Sequence, residues 1–374
     1  MKKNMLGIIF AEIYGSDELS ALTYDRNMAA VPFGGRYRLV DFTLSNMVNS
    51  GIDNIGVLVK QHYRSLMDHL ANGQEWDLNR KNGGLHILPP YANESAAHSS
   101  VGKLDELRGA LDLLRDASEP YVLLTDANVV YSMDYRPVLE AHIESGADIT
   151  AVTYTADGTV AAPSTYVFVP KDGKAAAFAL NDVARAGDQV GIGTYIISRK
   201  LLIEVVSEFT AFGAYHFERE FMQRQLNVGR LTINLHNIET PVFFNRSVTE
   251  YMQNSLALTD ENVGSAIFRQ DWPIYTRVND EVPTYYGIDC DISACIIADG
   301  CVIEGNAEHS VLARGVRVGK GAKVHNCVIM QGVTVGEGAV LENVIVDKWT
   351  VISPNTELKG LPTAPVIIRK GATV

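Results

Sequence analysis

The chain has 374 residues, 47% of them hydrophobic, which is enough to bury the cores of two domains and too apolar for a disordered polypeptide. Its 44 acidic residues outnumber 32 basic ones, and the net charge of -12 argues against non-specific binding to nucleic acid or an anionic membrane and suits a soluble cytosolic protein. No stretch approaches the ~20 apolar residues of a membrane span, and Lys2-Lys3 ahead of Met5 imitate a signal peptide only until Glu12 interrupts the run.

Up to about residue 245, short apolar strands alternate with helical patterns, the signature of an α/β domain with a mostly parallel sheet and helices on both faces. The apolar run at 6–10 predicts a buried first strand. A helix over 37–49 places Val40, Leu44 and Met47 on one face and stops at Gly51, a suitable residue for a left-handed cap. A strand at 55–59 follows, then a helix marked by Leu104, Leu107, Leu111 and Leu114 and a central strand at 121–125. Gly146 closes another helix before a strand at 149–154, and Asp172-Gly173 after a strand at 165–169 predicts a hairpin at the domain edge. A helix over 251–258 leads out of this first domain (1–245) through a connector (246–285).

Past Pro283 an aliphatic residue recurs about every six positions, as in Ile303-Glu304-Gly305, Val318-Gly319, Val335-Gly336 and Val351-Ile352. That period predicts a parallel β-helix over 286–374, whose edges are natural oligomer contacts. Cys290, Cys295, Cys301 and Cys327 all lie there without C-x2-C spacing and are expected to be buried, reduced thiols.

At the end of the first strand the chain reads Ala11-Glu12-Ile13-Tyr14-Gly15-Ser16-Asp17-Glu18-Leu19, with a single glycine. Downstream comes Ala30-Val31-Pro32-Phe33-Gly34-Gly35-Arg36-Tyr37-Arg38-Leu39-Val40-Asp41-Phe42-Thr43-Leu44-Ser45-Asn46. This second segment resembles the sugar-nucleotide pyrophosphorylases, and among them the bacterial glucose-1-phosphate adenylyltransferases. The resemblance implies a Rossmann-like nucleotidyltransferase domain followed by a left-handed β-helix.

Nucleotidyl transfer requires donors for a triphosphate, magnesium to offset its charge, and a cation for the sugar phosphate. In the resembled enzymes the first strand runs into G-G-x-G-T-R-L, which falls here on residues 13–19. Ile13 is unsuited to positive φ, Tyr14 fills the space of the phosphate, and Glu18 replaces the arginine. One carboxylate facing one phosphate charge at ~5 Å, with an effective dielectric near 20, is repulsive by roughly 3 kcal/mol. The two magnesium carboxylates of the family align with Asn128 and Phe244, and no lysine stands at 178–182 where the family grips the sugar phosphate. The degenerate positions Glu18, Asn128 and Phe244 thus leave no expected catalytic residue, no metal site and no tightly bound cofactor, magnesium being left to a catalytic partner.

Arg26, Arg36 and Arg38 match positions that line a site for phosphorylated effectors in the resembled enzymes, and Met28 replaces a lysine of that site. The alternative is surface arginines paired to Asp25 or Asp41. Lys60, His62 and Arg64 either extend the cluster or form a solvated face. His216 and Glu218 read as a helix start rather than a catalytic pair. The resemblance implies the regulatory, weakly active or inactive subunit of a homo- or hetero-oligomeric, expected tetrameric, adenylyltransferase of glycogen synthesis, steering a catalytic partner that makes ADP-glucose. Two alternatives stay open: an active transferase with Asp126 replacing the lost metal ligand, and a β-helix acyltransferase using His309 or His325.

Overall fold

The computed structural model describes residues 4–12, 18–89, 102–160 and 165–374, so the glycine-poor loop at 13–17 lies outside the described residues. Nine described strands form one sheet: β1 (Met5–Phe10), β2 (Asn54–Leu58), β3 (Gly84–Leu88), β4 (Tyr121–Asp126), β5 (Ile149–Thr155), β6 (Tyr166–Lys171), β7 (Lys174–Leu180), β8 (Gln189–Ser198) and β9 (Ile233–Asn237). Their order is β3-β2-β1-β4-β8-β5-β9-β7-β6. It is parallel from β3 through β4 and again between β5 and β9, whereas β8 and the β6–β7 hairpin run antiparallel. The hairpin turns at Asp172-Gly173, both in the left-handed region (φ 52° and 76°), as the sequence predicts.

Strand β1 is buried along its whole length because both sheet faces are covered, which is why it reads as an uninterrupted apolar run. Helix α1 (Leu39–Asn49) starts two residues later than its periodicity suggests: Tyr37–Arg38 pair with Pro32–Phe33 in a small hairpin, and Asp41 caps the helix by accepting from the Arg38 backbone N–H at 2.9 Å. The leucine repeat at 104–114 is two helices, α2 (Lys103–Gly109) and α3 (Leu111–Asp116), broken beside Gly109, a poor helix former. Helices α4 (Arg136–Ser145), α5 (Arg199–Ala211) and α6 (Val248–Ala257) follow, α4 capped by Gly146 at φ 59°.

The C-terminal region is a three-faced parallel β-helix whose sheets each stack five short strands, successive coils advancing 15 or 17 residues along the first face. Cys301 and Cys327 are buried in its core, Cys290 and Cys295 are half-buried, and all four are free thiols. The domains meet through the Pro32–Arg38 hairpin, whose Gly35 (φ 80°) faces Ile296 and Leu312 of the β-helix. Arg26 completes the junction with two hydrogen bonds, of 2.9 and 2.8 Å, to the fully buried Asp347 carboxylate. Among the described residues no helix is long and apolar enough to cross a membrane.

Candidate functional site

In an open α/β sheet, ligands bind beyond the carboxyl ends of the strands where the connections change direction. Here the chain builds outward from β1 to β2 and β3, then returns to β4 on the other side of β1. The switch point therefore lies between β1 and β4, whose last residues, Phe10 and Asp126, are paired neighbours.

That crevice is filled by the protein itself. The Lys103 ammonium lies 2.8 Å from the Asp126 carboxylate and 2.6 Å from Glu218 Oε1. Lys103 and Glu218 are each about one-twentieth exposed. The aromatic rings of Phe10, Tyr166 and Tyr195 surround the ammonium at 5.2, 5.7 and 5.9 Å from their centroids. Burial opposes the charge on Lys103, but the two carboxylates outweigh it and hold the group protonated well above the usual lysine range. Burial pushes the Asp126 carboxyl up to about 6, with Lys103 limiting the rise.

Local structure explains how three distant residues converge. Leu104 N–H donates to the Tyr215 carbonyl at 2.9 Å, and Gly102 packs so tightly on Tyr215 and His216 that a Cβ would collide. This fastens the first residue of α2 beside the π-type turn Phe217–Gln223, which carries Glu218 inward. On the opposite side Gly193, at φ 76°, leaves the room that the Asp126 carboxylate occupies.

The degenerate positions gather at the same mouth. Asn128 is buried in the turn after β4, and Phe244 pairs with the adjacent Val129. The Asn245 backbone N–H donates to the Asn128 carbonyl at 3.0 Å, while the Arg246 guanidinium stacks 4.5 Å from the Phe244 ring. Strand β4 ends at Asp126, so Asn128 lies beyond the strand. Glu18 is exposed, its carbonyl accepting from the Val248 N–H at 3.2 Å. An amide, a benzyl ring and a carboxylate already committed to Lys103 do not fit magnesium, and no group of three or more potential ligands occurs among the described residues.

The second feature is a cavity of about 170 Å³ between the domains, room for roughly half a dozen waters. Arg36, Arg38 and His69 line it from the first domain, Arg277 from the connector, and Arg314 and Lys348 from the β-helix; among the described residues no carboxylate lines it. Arg38 is braced by donating to the Ser65 carbonyl at 2.7 Å, and burial, helped by the charges of Arg26 and Arg277, pulls it down to about 10. Burial, with Arg38 and Arg26 alongside, pulls Lys348 down to about 7. Arg36 is half exposed and 3.9 Å from Asp299, whose carboxylate also holds Arg314.

Of the three expected effector arginines, Arg36 and Arg38 reach this cavity and Arg26 does not. Arg26 is neither a surface residue nor a cavity lining, because its guanidinium is spent on Asp347 and, at 3.2 Å, Asp25. Asp41 bonds the Arg38 backbone, not its guanidinium, and accepts or shares a proton with His69 Nε2 at 2.6 Å. Lys60, His62 and Arg64 do not line the cavity. His216 caps the π-type turn, whereas Glu218, read from sequence as part of a helix start, belongs to the crevice. Lys103, Arg277, Arg314 and Lys348 were not singled out from sequence, since a single cation beside an apolar residue carries no local mark of the company it keeps. His309 and His325 sit at β-helix corners. His309, at φ 44°, pairs Nδ1 with Asn326 Oδ1 at 2.6 Å, and His325 lies 3.4 Å from Glu308.

Residues 14–232 match the nucleotidyl transferase family, and residues 284–360 match the GlmU-like C-terminal hexapeptide family, consistent with a left-handed β-helix. The glycogen biosynthesis protein GlgD of Geobacillus stearothermophilus is 36% identical, covering 99% of this chain and 97% of that protein. GlgD of Bacillus subtilis is 34% identical over 98% of this chain and 96% of its own length. The glucose-1-phosphate adenylyltransferase of G. stearothermophilus is 31% identical over 87% and 84%. The chain therefore belongs to the nucleotidyl transferase family, with a GlmU-like hexapeptide domain following the transferase domain.

Proposed function

We propose that this chain is a regulatory, catalytically weak or inactive subunit of glucose-1-phosphate adenylyltransferase in glycogen biosynthesis, acting on a catalytic partner that makes ADP-glucose from ATP and glucose 1-phosphate. The observation that carries the proposal is the mouth of the crevice, where Asn128 and Phe244 replace two carboxylates and a protein ammonium already neutralises Asp126. Support comes also from the near full-length match to two GlgD proteins, beside a shorter match to an adenylyltransferase.

Control of the partner would run through the interdomain cavity. Five guanidinium or ammonium groups without a lining carboxylate attract a multivalent anion, and a phosphorylated metabolite bound there would clamp both domains at once. By packing against the active subunit, the chain would bias that subunit's conformations, and the coupling of effector and partner must be reciprocal.

Purified alone with ATP, glucose 1-phosphate and magnesium, the chain is expected to release almost no pyrophosphate. Co-expressed with a catalytic subunit, it is expected to form a mixed oligomer whose response to phosphorylated metabolites differs from that of the catalytic subunit alone. Turnover by the isolated chain at the rate of a competent subunit would overturn the proposal.

A further inference from the structure

The lost carboxylates at Asn128 and Phe244 account for two missing magnesium ligands. They do not explain why a lysine is buried there. A charged lysine is among the groups least often found inside a protein, and this one is drawn in by a purpose-built local arrangement: Gly102 without a side chain, the Leu104–Tyr215 hydrogen bond, and the π-type turn that presents Glu218. The ammonium nitrogen is within 2.8 Å of two carboxylates from separate elements, with aromatic rings of three strands around it. Oxygens of hard divalent cation sites lie 2.0–2.6 Å or so from the ion, so the point on which Asp126 and Glu218 converge is one that such a cation could also occupy.

We infer that Lys103 is the crevice's resident counter-ion, standing in place of a divalent cation between Asp126 and Glu218, and that removing its charge turns this carboxylate pair into a divalent-cation site. The inference rests on the crevice being a former nucleotide site, and it deepens the proposed function. The tethered ammonium offsets one of the two carboxylate charges at the sheet end without any diffusible ion.

Manganese chloride alone is a suitable probe, because its binding is read by the loss of the free-ion paramagnetic resonance signal and by thermal unfolding, with no turnover needed. Three proteins are compared: the unsubstituted chain, Lys103→Met, and Lys103→Met combined with Asp126→Asn and Glu218→Gln. Lys103→Met is expected to bind one additional manganese ion with a Kd of about 10⁻⁴–10⁻³ M, typical of weak oxygen-ligand sites, and to be stabilised by it. The unsubstituted chain and the triple variant are expected to show neither effect. Equal binding by the unsubstituted chain, or a folded Lys103→Met variant that ignores manganese, would overturn the inference. If Lys103→Met is recovered unfolded, its refolding from urea decides the matter: recovery dependent on millimolar manganese supports the inference, and recovery without the ion or no recovery at all refutes it. Pyrophosphate release by the unsubstituted chain would overturn the proposed function and leave this comparison standing on its own.

Discussion

At the carboxyl end of the central strands a buried lysine meets two carboxylates, whereas between the domains five cations face a common space that no carboxylate lines. The crevice meets the ordinary expectation that buried charge is paired, and the cavity meets it only in part. The crevice has supplied its own partner and has nothing left to offer a ligand. The cavity shares one outlying carboxylate, Asp299, between Arg36 and Arg314 and so carries an excess of positive charge that an anion would offset. On the proposed function, a ligand is expected where charge is least met, at the domain junction and not at the sheet end.

The largest effect is expected at the boundary of the two regimes, at Arg26. Its bonds to Asp347 are buried on both sides, so Arg26→Ala strands a carboxylate and should cost about 3–5 kcal/mol in urea unfolding. Replacing both partners together with apolar residues should recover most of that loss. Arg36→Ala, in contrast, removes a half-exposed group and should leave unfolding unchanged. Equal costs for the two arginines would erase the distinction between structural and ligand-seeking cations.

Next in size is anion binding itself. Arg314→Ala or Lys348→Met should weaken binding of a phosphate ester by roughly 10- to 100-fold, the loss of one charge-assisted hydrogen bond of about 1.5–3 kcal/mol. Calorimetric titration measures this, and salt should weaken the remaining affinity further. Lys103→Met should leave it untouched, since Lys103 belongs to the other region.

A smaller effect follows pH. Lys348 titrates near 7 in the folded protein against an ordinary 10.5, with burial, Arg38, Arg26 and Lys370 lowering it and Asp347 opposing. Between those values the unfolded chain carries the extra proton, so stability gains from this group as pH rises above about 7, and the cost of its buried charge is present in full below 7. Bound anion reverses the preference. Sulfate, whose charge is constant over this range, should bind more tightly as pH falls from 8 to 6, by up to about tenfold, and Lys348→Met should flatten the profile.

Legibility in the sequence followed the distance over which each feature is built. The β-helix announces itself because one coil repeats the demands of the last, so Val318, Val335 and Ile352 recur at a fixed interval and occupy one face. The Pro32–Arg38 segment was legible as a resemblance, yet its physical task, turning Gly35 against the β-helix, needed coordinates. Asn128 and Phe244 were found by alignment to motifs and do meet, 116 positions apart in sequence, through the Val129–Phe244 pairing. The crevice was hidden. Lys103 is 23 residues from Asp126 and 115 from Glu218, and nothing near any of the three distinguishes it from a surface charge. The parallel pairings from β3 through β4 and between β5 and β9 follow from strand–helix alternation, but the sheet is mixed and not mostly parallel as expected, since β8, which follows a hairpin and not a helix, and the β6–β7 hairpin pair antiparallel.

The smallest effect is the most discriminating. Asn128→Asp with Phe244→Asp restores the two missing carboxylates at adjacent positions, and on a simple account of lost ligands it should return magnesium affinity. Lys103 changes that expectation. Its ammonium remains bonded to Asp126 and Glu218, and the Arg246 guanidinium that now covers the Phe244 ring would pair with the new carboxylate. The double variant should therefore bind magnesium little better than the parent and release no measurable pyrophosphate from ATP and glucose 1-phosphate. Adding Lys103→Met should bring metal affinity without turnover, because the loop after β1 still lacks the glycines that would bring bare amides to a triphosphate. Activity in the double variant would mean that the crevice opens despite its lysine, and that the contrast between a closed sheet end and an open junction is one of degree.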